Sequence, residues 1–246
     1  MNKKITYYIF SFTMLIVTFS SCQKYYIDSG THAPKYDGTV MEYIKMRKDI
    51  FDSLYKVIQL SGLESELNRN GVTFFAPGDA SIRKSIYALN EVLHILGRDT
   101  VYTLDQIDAE VWREYLSMYI YTNTYLLKDI PQLDTNNMNV YPGQAFLSIG
   151  NQNMNMGVLY NDVVSKGDNN QQQVVKYGGY RQLYLSYIVD VSNTEAAGGM
   201  VNSPVATSDI QTNNGVIHAL EYRRHTFGFV VNNFINSAYT KGIKDN

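Results

Sequence analysis

Apolar residues recur at helical spacing in the first half of the chain and at every second position in much of the remainder, which splits the sequence into two regimes. Thr39-x-x-Glu42 is a capping box at a helix start, and Ile50, Phe51, Leu54, Val57 and Ile58 follow at helical spacing up to a stop at Gly62. Ser61-x-x-Glu64 offers a second box for a short helix through Leu67, ended by Asn70-Gly71. Val72-Thr73-Phe74-Phe75-Ala76-Pro77 is a β-branched and aromatic run closed by a proline, hence a strand. Asp79 is placed to cap a further helix through Ile82, Ile86 and Leu89 to Gly97. Thr103-x-x-Gln106 starts a turn, and residues 111–120 read as a core helix carrying Trp112, Tyr115, Leu116 and Tyr119 on one side.

Beyond Tyr121 the period falls to two. Strands are expected over 122–127, 145–149, 154–160, 174–177 and 183–191, with Leu183, Leu185, Tyr187 and Val189 on one face of the last and Tyr184, Ser186 and Ile188 on the other. Residues 192–208 are small and polar and read as a loop. Residues 213–221, Asn-Asn-Gly-Val-Ile-His-Ala-Leu-Glu, read as an Asn-Gly turn, in which both residues tolerate positive φ, and then a buried strand with one histidine at its centre. Phe227, Val230, Val231, Phe234 and Ile235 suit a final amphipathic helix. Helices first and strands mostly after imply an α+β domain, not alternating βαβ units.

The first residues add a destination. Lys3 and Lys4, an apolar run over 9–19, and then Ser20, Ser21 and Cys22 form a secretory signal too short to span a bilayer comfortably. Phe19-Ser20-Ser21-Cys22 resembles a bacterial lipobox, with Phe19 where leucine is usual, so residues 1–21 are expected to be a lipoprotein signal peptide and Cys22 the lipidated residue. Residues 22–38, mixed and aperiodic, read as a tether, and its His32 as a solvated residue. Cys22 is the only cysteine, so no disulfide is available and stability must come from the core.

A formal charge of −2 gives no basic footprint, which argues against nucleic acid as a partner. Catalytic and metal chemistry find little support. The four histidines are His32, His94, His218 and His225, and Glu91-x-x-His94, the spacing of half a di-iron site, occurs once. No metalloprotease helix, nucleophile elbow, phosphate-binding loop or dinucleotide fingerprint is present. No metal and no cofactor are expected, and a hydrolase would need a triad assembled across distance. The chain holds 21 tyrosines, and Tyr25, Tyr26, Tyr177, Tyr180, Tyr184 and Tyr187 are candidates for stacking on sugar rings, against the plainer account that strand tyrosines cover a sheet.

Two stretches read together carry a family resemblance. Val72-Thr73-Phe74-Phe75-Ala76-Pro77-Gly78-Asp79-Ala80 resembles the first signature of fasciclin domains, and Asn214-Gly215-Val216-Ile217-His218-Ala219-Leu220 resembles the second. The resemblance implies a β-wedge of about seven strands with helices packed around it, covering residues 39–226, followed by a C-terminal helix and tail over 227–246. It implies that both signatures lie on neighbouring central strands, with Phe74, Phe75, Val216 and Ile217 buried together. Phe75, Ala76, Pro77, Asn214, Gly215 and His218 are then structural, His218 bonding to backbone or a polar side chain. Members are adhesion and matrix modules, generally without catalysis. The Tyr-His pair that the family associates with integrin contact is reduced here to Tyr119-Ile120.

The expected function is a non-enzymatic, lipid-anchored adhesion or binding module of the cell envelope, of the kind found in Bacteroidetes, placed at the outer membrane. Its partner would be an envelope protein or a polysaccharide, met through residues 136–187 and in particular Tyr177, Tyr180, Tyr184 and Tyr187. The alternatives are an accessory structural subunit of an outer-membrane glycan-capture complex and a hydrolase with an unrecognised triad.

Overall fold

The computed structural model describes residues 35–167, 171–194 and 198–244. The lipobox with Cys22, the tether up to residue 34, Tyr25, Tyr26 and His32 lie outside the described residues. The described residues cluster as one compact unit.

Helix α1 (Val40–Met46) starts at the Thr39 capping box: the Glu42 amide donates to Thr39 Oγ1 at 3.2 Å, and Glu42 Oε2 accepts from the Thr39 amide at 2.7 Å. Helix α2 (Lys48–Ser61) kinks at Phe51, where φ is −131°, and ends at Gly62 in the left-handed region. The kink leaves the amides of the second half without carbonyl partners, and Asp79 supplies them from another element. Its two carboxylate oxygens accept from the amides of Asp52 at 3.0 Å and Leu54 at 3.1 Å. The cap on Asp79's own helix, α4 (Asp79–Ile95), is instead Gly78. Burial raises the Asp79 pKa, against the pull of those backbone amides. Short helix α3 (Glu64–Leu67) is not boxed by Ser61, whose hydroxyl donates back to the Ile58 carbonyl at 2.9 Å.

Among the described residues, ten strands follow from β1 (Val72–Ala76) onward. Eight form one sheet ordered β2-β1-β10-β9-β8-β5-β3, with β4 (Gln144–Leu147) paired to β5 (Asn153–Tyr160) off that path. β2 is Ile120–Tyr121, β3 is Gln132–Leu133 and β8 is Arg181–Ile188. β9 is Met200–Gln211 and β10 is Gly215–Leu220. β6 (Val163–Lys166) and β7 (Gln172–Val175) make a separate two-stranded hairpin. The architecture is α+β: a curled sheet of seven strands along its path, with helices against it.

Two segments depart from the sequence pattern. The expected helix over 111–120 is α5 (Ala109–Leu116), then a 3-10 turn at Ser117–Tyr119 and strand β2, and 122–127 forms no strand. There the Thr73 hydroxyl does the work of a ladder, donating to the Asn123 carbonyl at 2.6 Å and accepting from the Tyr125 amide at 2.8 Å. Of the expected loop over 192–208, residues 200–208 belong instead to the twelve-residue strand β9. Its polar composition hid it, and so did Pro204. A residue's N–H and C=O point to the same side of a strand, and the Pro204 carbonyl accepts from Glu221, just past the end of β10. The missing amide therefore falls where that ladder already ends.

The core runs between sheet and helices. α6 (Val231–Lys241) buries Phe234, Ile235 and Ala238, and Phe234 packs on Trp112 and Phe227. Lys84 on α4 holds the preceding turn, its ammonium donating to the carbonyls of Tyr222, Arg223 and His225 at 2.7, 2.9 and 3.1 Å.

Candidate functional site

The two signature segments lie side by side. β1 and β10 pair in parallel, Val72 with Gly215, Phe74 with Ile217 and Phe75 with His218. Phe74, Phe75, Val216 and Ile217 are all buried. Gly215 does not owe its place to a positive φ, nor does Asn214; both have negative values. A Cβ at Gly215 would stand 2.1 Å from the Val72 carbonyl oxygen, so only glycine lets the strands approach. Asn214 is a fastener as well as a turn residue. Its Nδ2 donates to the carbonyls of Leu67 at 2.8 Å and Arg69 at 3.0 Å, closing the end of α3. Its Oδ1 accepts from the Val40 amide at 2.8 Å, at the start of α1.

His218 is 0% exposed and packs on Phe75 with ring centroids 4.8 Å apart. Opposite it the β9–β10 register slips, and Asp209 takes a φ of 57°. The slip frees the Asp209 amide from the ladder, and His218 Nδ1 accepts it at 3.1 Å. The other nitrogen, Nε2, therefore carries the proton and donates to the Tyr125 carbonyl at 2.9 Å. The Asp209 carboxylate lies 3.9 Å from Nδ1, but Nδ1 is already an acceptor, so the two form no ion pair. Burial pushes the His218 pKa down, opposed by the Tyr125 carbonyl and the Asp209 charge. Ala76 is buried in β1, and Pro77 follows where the strand stops.

A second buried histidine escaped the sequence reading. His225 is 2% exposed, with Nε2 3.0 Å from the Tyr119 hydroxyl and Nδ1 2.7 Å from Ser203 Oγ. The Gly228 amide donates to the same Tyr119 oxygen at 2.8 Å, so the Tyr119 proton goes to Nε2 and Nδ1–H donates to Ser203. Burial, with the Lys84 charge adding to it, pushes the His225 pKa down to about 3, and burial raises that of Tyr119. The signal in the sequence was the aromatic pair Phe227 and Phe229 just beyond it, both of which stack on Tyr119. Tyr119, which lacks a histidine next to it in sequence, obtains one across the fold.

Ser203 and His225 are a serine–histidine contact, yet they do not make a nucleophile. Ser203 is 1% exposed, and no described cavity is lined by it. The remaining imidazole nitrogen faces a phenol and not a carboxylate, and it is the protonated Nδ1 that meets the serine. Glu91 and His94 are exposed on α4, and no group of three possible metal ligands occurs among the described residues.

The four tyrosines expected to form one surface do not. Tyr184 is 7% exposed, closed over by Leu133 and Met138 on one side of β8. Tyr187, three residues on and therefore on the opposite face, is half-buried and stacks on Phe229 at 6.1 Å. Tyr177 donates its hydroxyl to Asp134 at 3.0 Å and packs its ring against Tyr141. Only Tyr180, at 69%, is freely exposed. What residues 136–187 do present is the β6–β7 hairpin. Val163 pairs with Val175 on one face and Val164 with Val174 on the other, and all four are exposed.

The family model for the Fasciclin domain matches residues 49–222. The chain belongs to the fasciclin domain family. That match spans both signature strands and ends before the turn that carries His225. Among solved structures, a FAS1 domain pair from the insect cell adhesion molecule fasciclin I is similar, with 16% identity and a TM-score of 0.38 over 72% of this chain. The chain covers 45% of that structure's length. No curated protein sequence matches. The fasciclin family is one of adhesion-type domains, generally without catalysis. Among the described residues, no helix is long and apolar enough to cross a membrane.

Proposed function

We propose that this fasciclin domain is a non-enzymatic binding module of the cell envelope, lipid-anchored through Cys22 at the outer membrane and engaging a polysaccharide or a protein there. The observation that carries the non-catalytic part is the sealing of Ser203 and His225. The serine–histidine contact sits in the core, and the residues of both signatures are consumed in packing and backbone bonds. Recognition then belongs to the outer surface. The Phe19-Ser20-Ser21-Cys22 order supports the anchor.

The test uses the full chain expressed in a bacterial host that acylates lipoproteins. Labelled palmitate should enter the wild type and not Cys22→Ala, and the wild type should fractionate with outer membrane. The protein immobilised on beads should capture a partner from envelope extracts. Palmitate-free protein released to the medium would overturn the anchor; capture of nothing would overturn the binding role.

The exposed valines of the β6–β7 hairpin favour one version, an accessory subunit docked to a protein. A two-stranded hairpin with apolar residues on both faces is marginal in water alone and gains from being covered. Val164→Ser with Val174→Ser should then abolish capture of a protein partner without lowering the melting temperature.

A further inference from the structure

Helices α5 and α6 do not close against each other along their outer edges. Between them lies an open cleft of about 540 Å³, within the size range of ligand sites. One wall is a single face of α6, where Asn233, Asn236 and Thr240 succeed one another at about one helical turn, roughly 5.4 Å. Gln152 and Tyr187 contribute from the sheet side. Glu114 and Lys241 stand at one end, 2.9 Å apart, and a second cleft of about 630 Å³ continues beyond them.

We infer that this cleft binds a neutral oligosaccharide segment, and this rests on the binding-module reading above. Charge is the first reason. The Glu114 carboxylate is already engaged by Lys241 and by the Ser237 hydroxyl at 2.7 Å, so the pair is self-neutralised, and the rest of the wall is amide, hydroxyl and phenol with the Met118 thioether and Gly228 among them. Nothing there rewards a phosphate or a strongly anionic ligand.

Free hydrogen-bonding capacity is the second. Asn233 and Asn236 are exposed, and their side-chain amides have no protein partner among the described residues; nor has the Tyr187 hydroxyl. A carboxamide offers donors and an acceptor side by side, which matches the paired hydroxyls of a sugar ring. The Tyr187 ring is fixed by stacking on Phe229, so it is presented without further loss of side-chain entropy.

Spacing is the third. Polar rungs one helical turn apart approximate the length of a hexopyranose unit. An extended peptide presents like-facing groups about every 6.6 Å, which falls out of step within two rungs. On the rim Phe229 adopts a positive φ of 62°, directly after Gly228 at 82°. For a phenylalanine that conformation is unusual, and it sets the entry to α6 beside the cleft.

The probe is a panel of neutral tetra- to hexasaccharides built from glucose, mannose or galactose, with a polyuronate fragment as the charged comparison. Binding to the full chain is read by saturation-transfer NMR and calorimetry. At least one neutral oligosaccharide should bind. Asn233→Ala with Asn236→Ala should weaken it by about tenfold or more, since two exposed hydrogen-bonding groups are lost. Gln152→Ala, from the opposite wall, should weaken the same sugar, and melting should stay at the wild-type value throughout. Val164→Ser with Val174→Ser should leave sugar binding intact. No neutral sugar bound, preference for the polyuronate, or undiminished affinity in the Asn233/Asn236 variant would each overturn the inference. If a protein partner is still captured from envelope extracts while no sugar binds, the cleft assignment fails and the binding module stands. If neither is captured, both fail.

Discussion

Replacing His218 tests the centre of the fold. In His218→Ala the Asp209 amide, released from the ladder by the register slip, loses its acceptor, and the Tyr125 carbonyl loses its donor. Each partner left unpaired in a buried setting costs about 1 to 3 kcal/mol. A void also opens where the ring lay against Phe75. Asp209 and Tyr125 can regain some water, since neither is fully buried, so a total of about 3 to 4 kcal/mol is the working figure. At roughly 2 to 4 °C per kcal/mol for a domain of this size, the melting temperature should fall by about 10 °C. The assay is thermal melting followed by circular dichroism at pH 7.5, with urea unfolding alongside. His218→Phe refills the space but restores neither hydrogen bond, so it should fall nearly as far as alanine. A phenylalanine variant as stable as the wild type would show that volume alone matters. An alanine variant melting within about 2 °C of the wild type would refute the account of the histidine as a strand pin.

Further outcomes follow from the same geometry. His225, with a pKa pushed down to about 3, and His218, also shifted down, are neutral in the folded state, whereas the unfolded chain protonates them near pH 6.5. Stability is therefore full above pH 6.5 and falls as pH drops, by up to about 1.4 kcal/mol per pH unit for each ring; a melting temperature unchanged between pH 7.5 and 5 would contradict this. Gly215→Ala puts a methyl against the Val72 carbonyl and should destabilise by about 3 kcal/mol or more, whereas Gly97→Ala, with open space around it and a φ of 66°, should cost about 1 kcal/mol in urea titrations. A fluorophosphonate probe should leave Ser203 unlabelled in the folded protein, and specific labelling there would revive the hydrolase.

Legibility in the sequence tracked how local each cause is. The Thr39 box, the Gly62 stop and the two β-branched signature runs are decided by neighbours within a few residues, and these could be read directly. Asp79 could be read only as a cap; which helix it caps depends on a kink 28 residues earlier at Phe51. β9 was hidden because its polar residues gain their strand conformation from β8 and β10 on either side, a pairing no local pattern announces. His225 lies in Arg223-Arg224-His225-Thr226, a solvent-like sequence, and is buried because Phe227 and Phe229 carry the chain inward after it. The tyrosine surface failed for a related reason. Alternation along β8 told which tyrosines share a face and that both faces are half covered, but not that Leu133 and Met138 close over Tyr184 or that Phe229 meets Tyr187. The cleft between α5 and α6 left no mark at all, since its walls come from helices more than a hundred residues apart.

The parallel pairing of β1 with β10 has a temporal side. Val72 cannot meet Gly215 until almost the whole domain exists as chain, and closing so long a loop must precede any reward from the contact. While the polypeptide is being made, the first signature waits with one antiparallel neighbour, the two-residue β2, and with Phe74 and Phe75 still to be covered. β1, buried along its whole length, is thus the strand that waits for a partner far along the chain. Anything that holds that strand in solution during the interval protects the protein from aggregation.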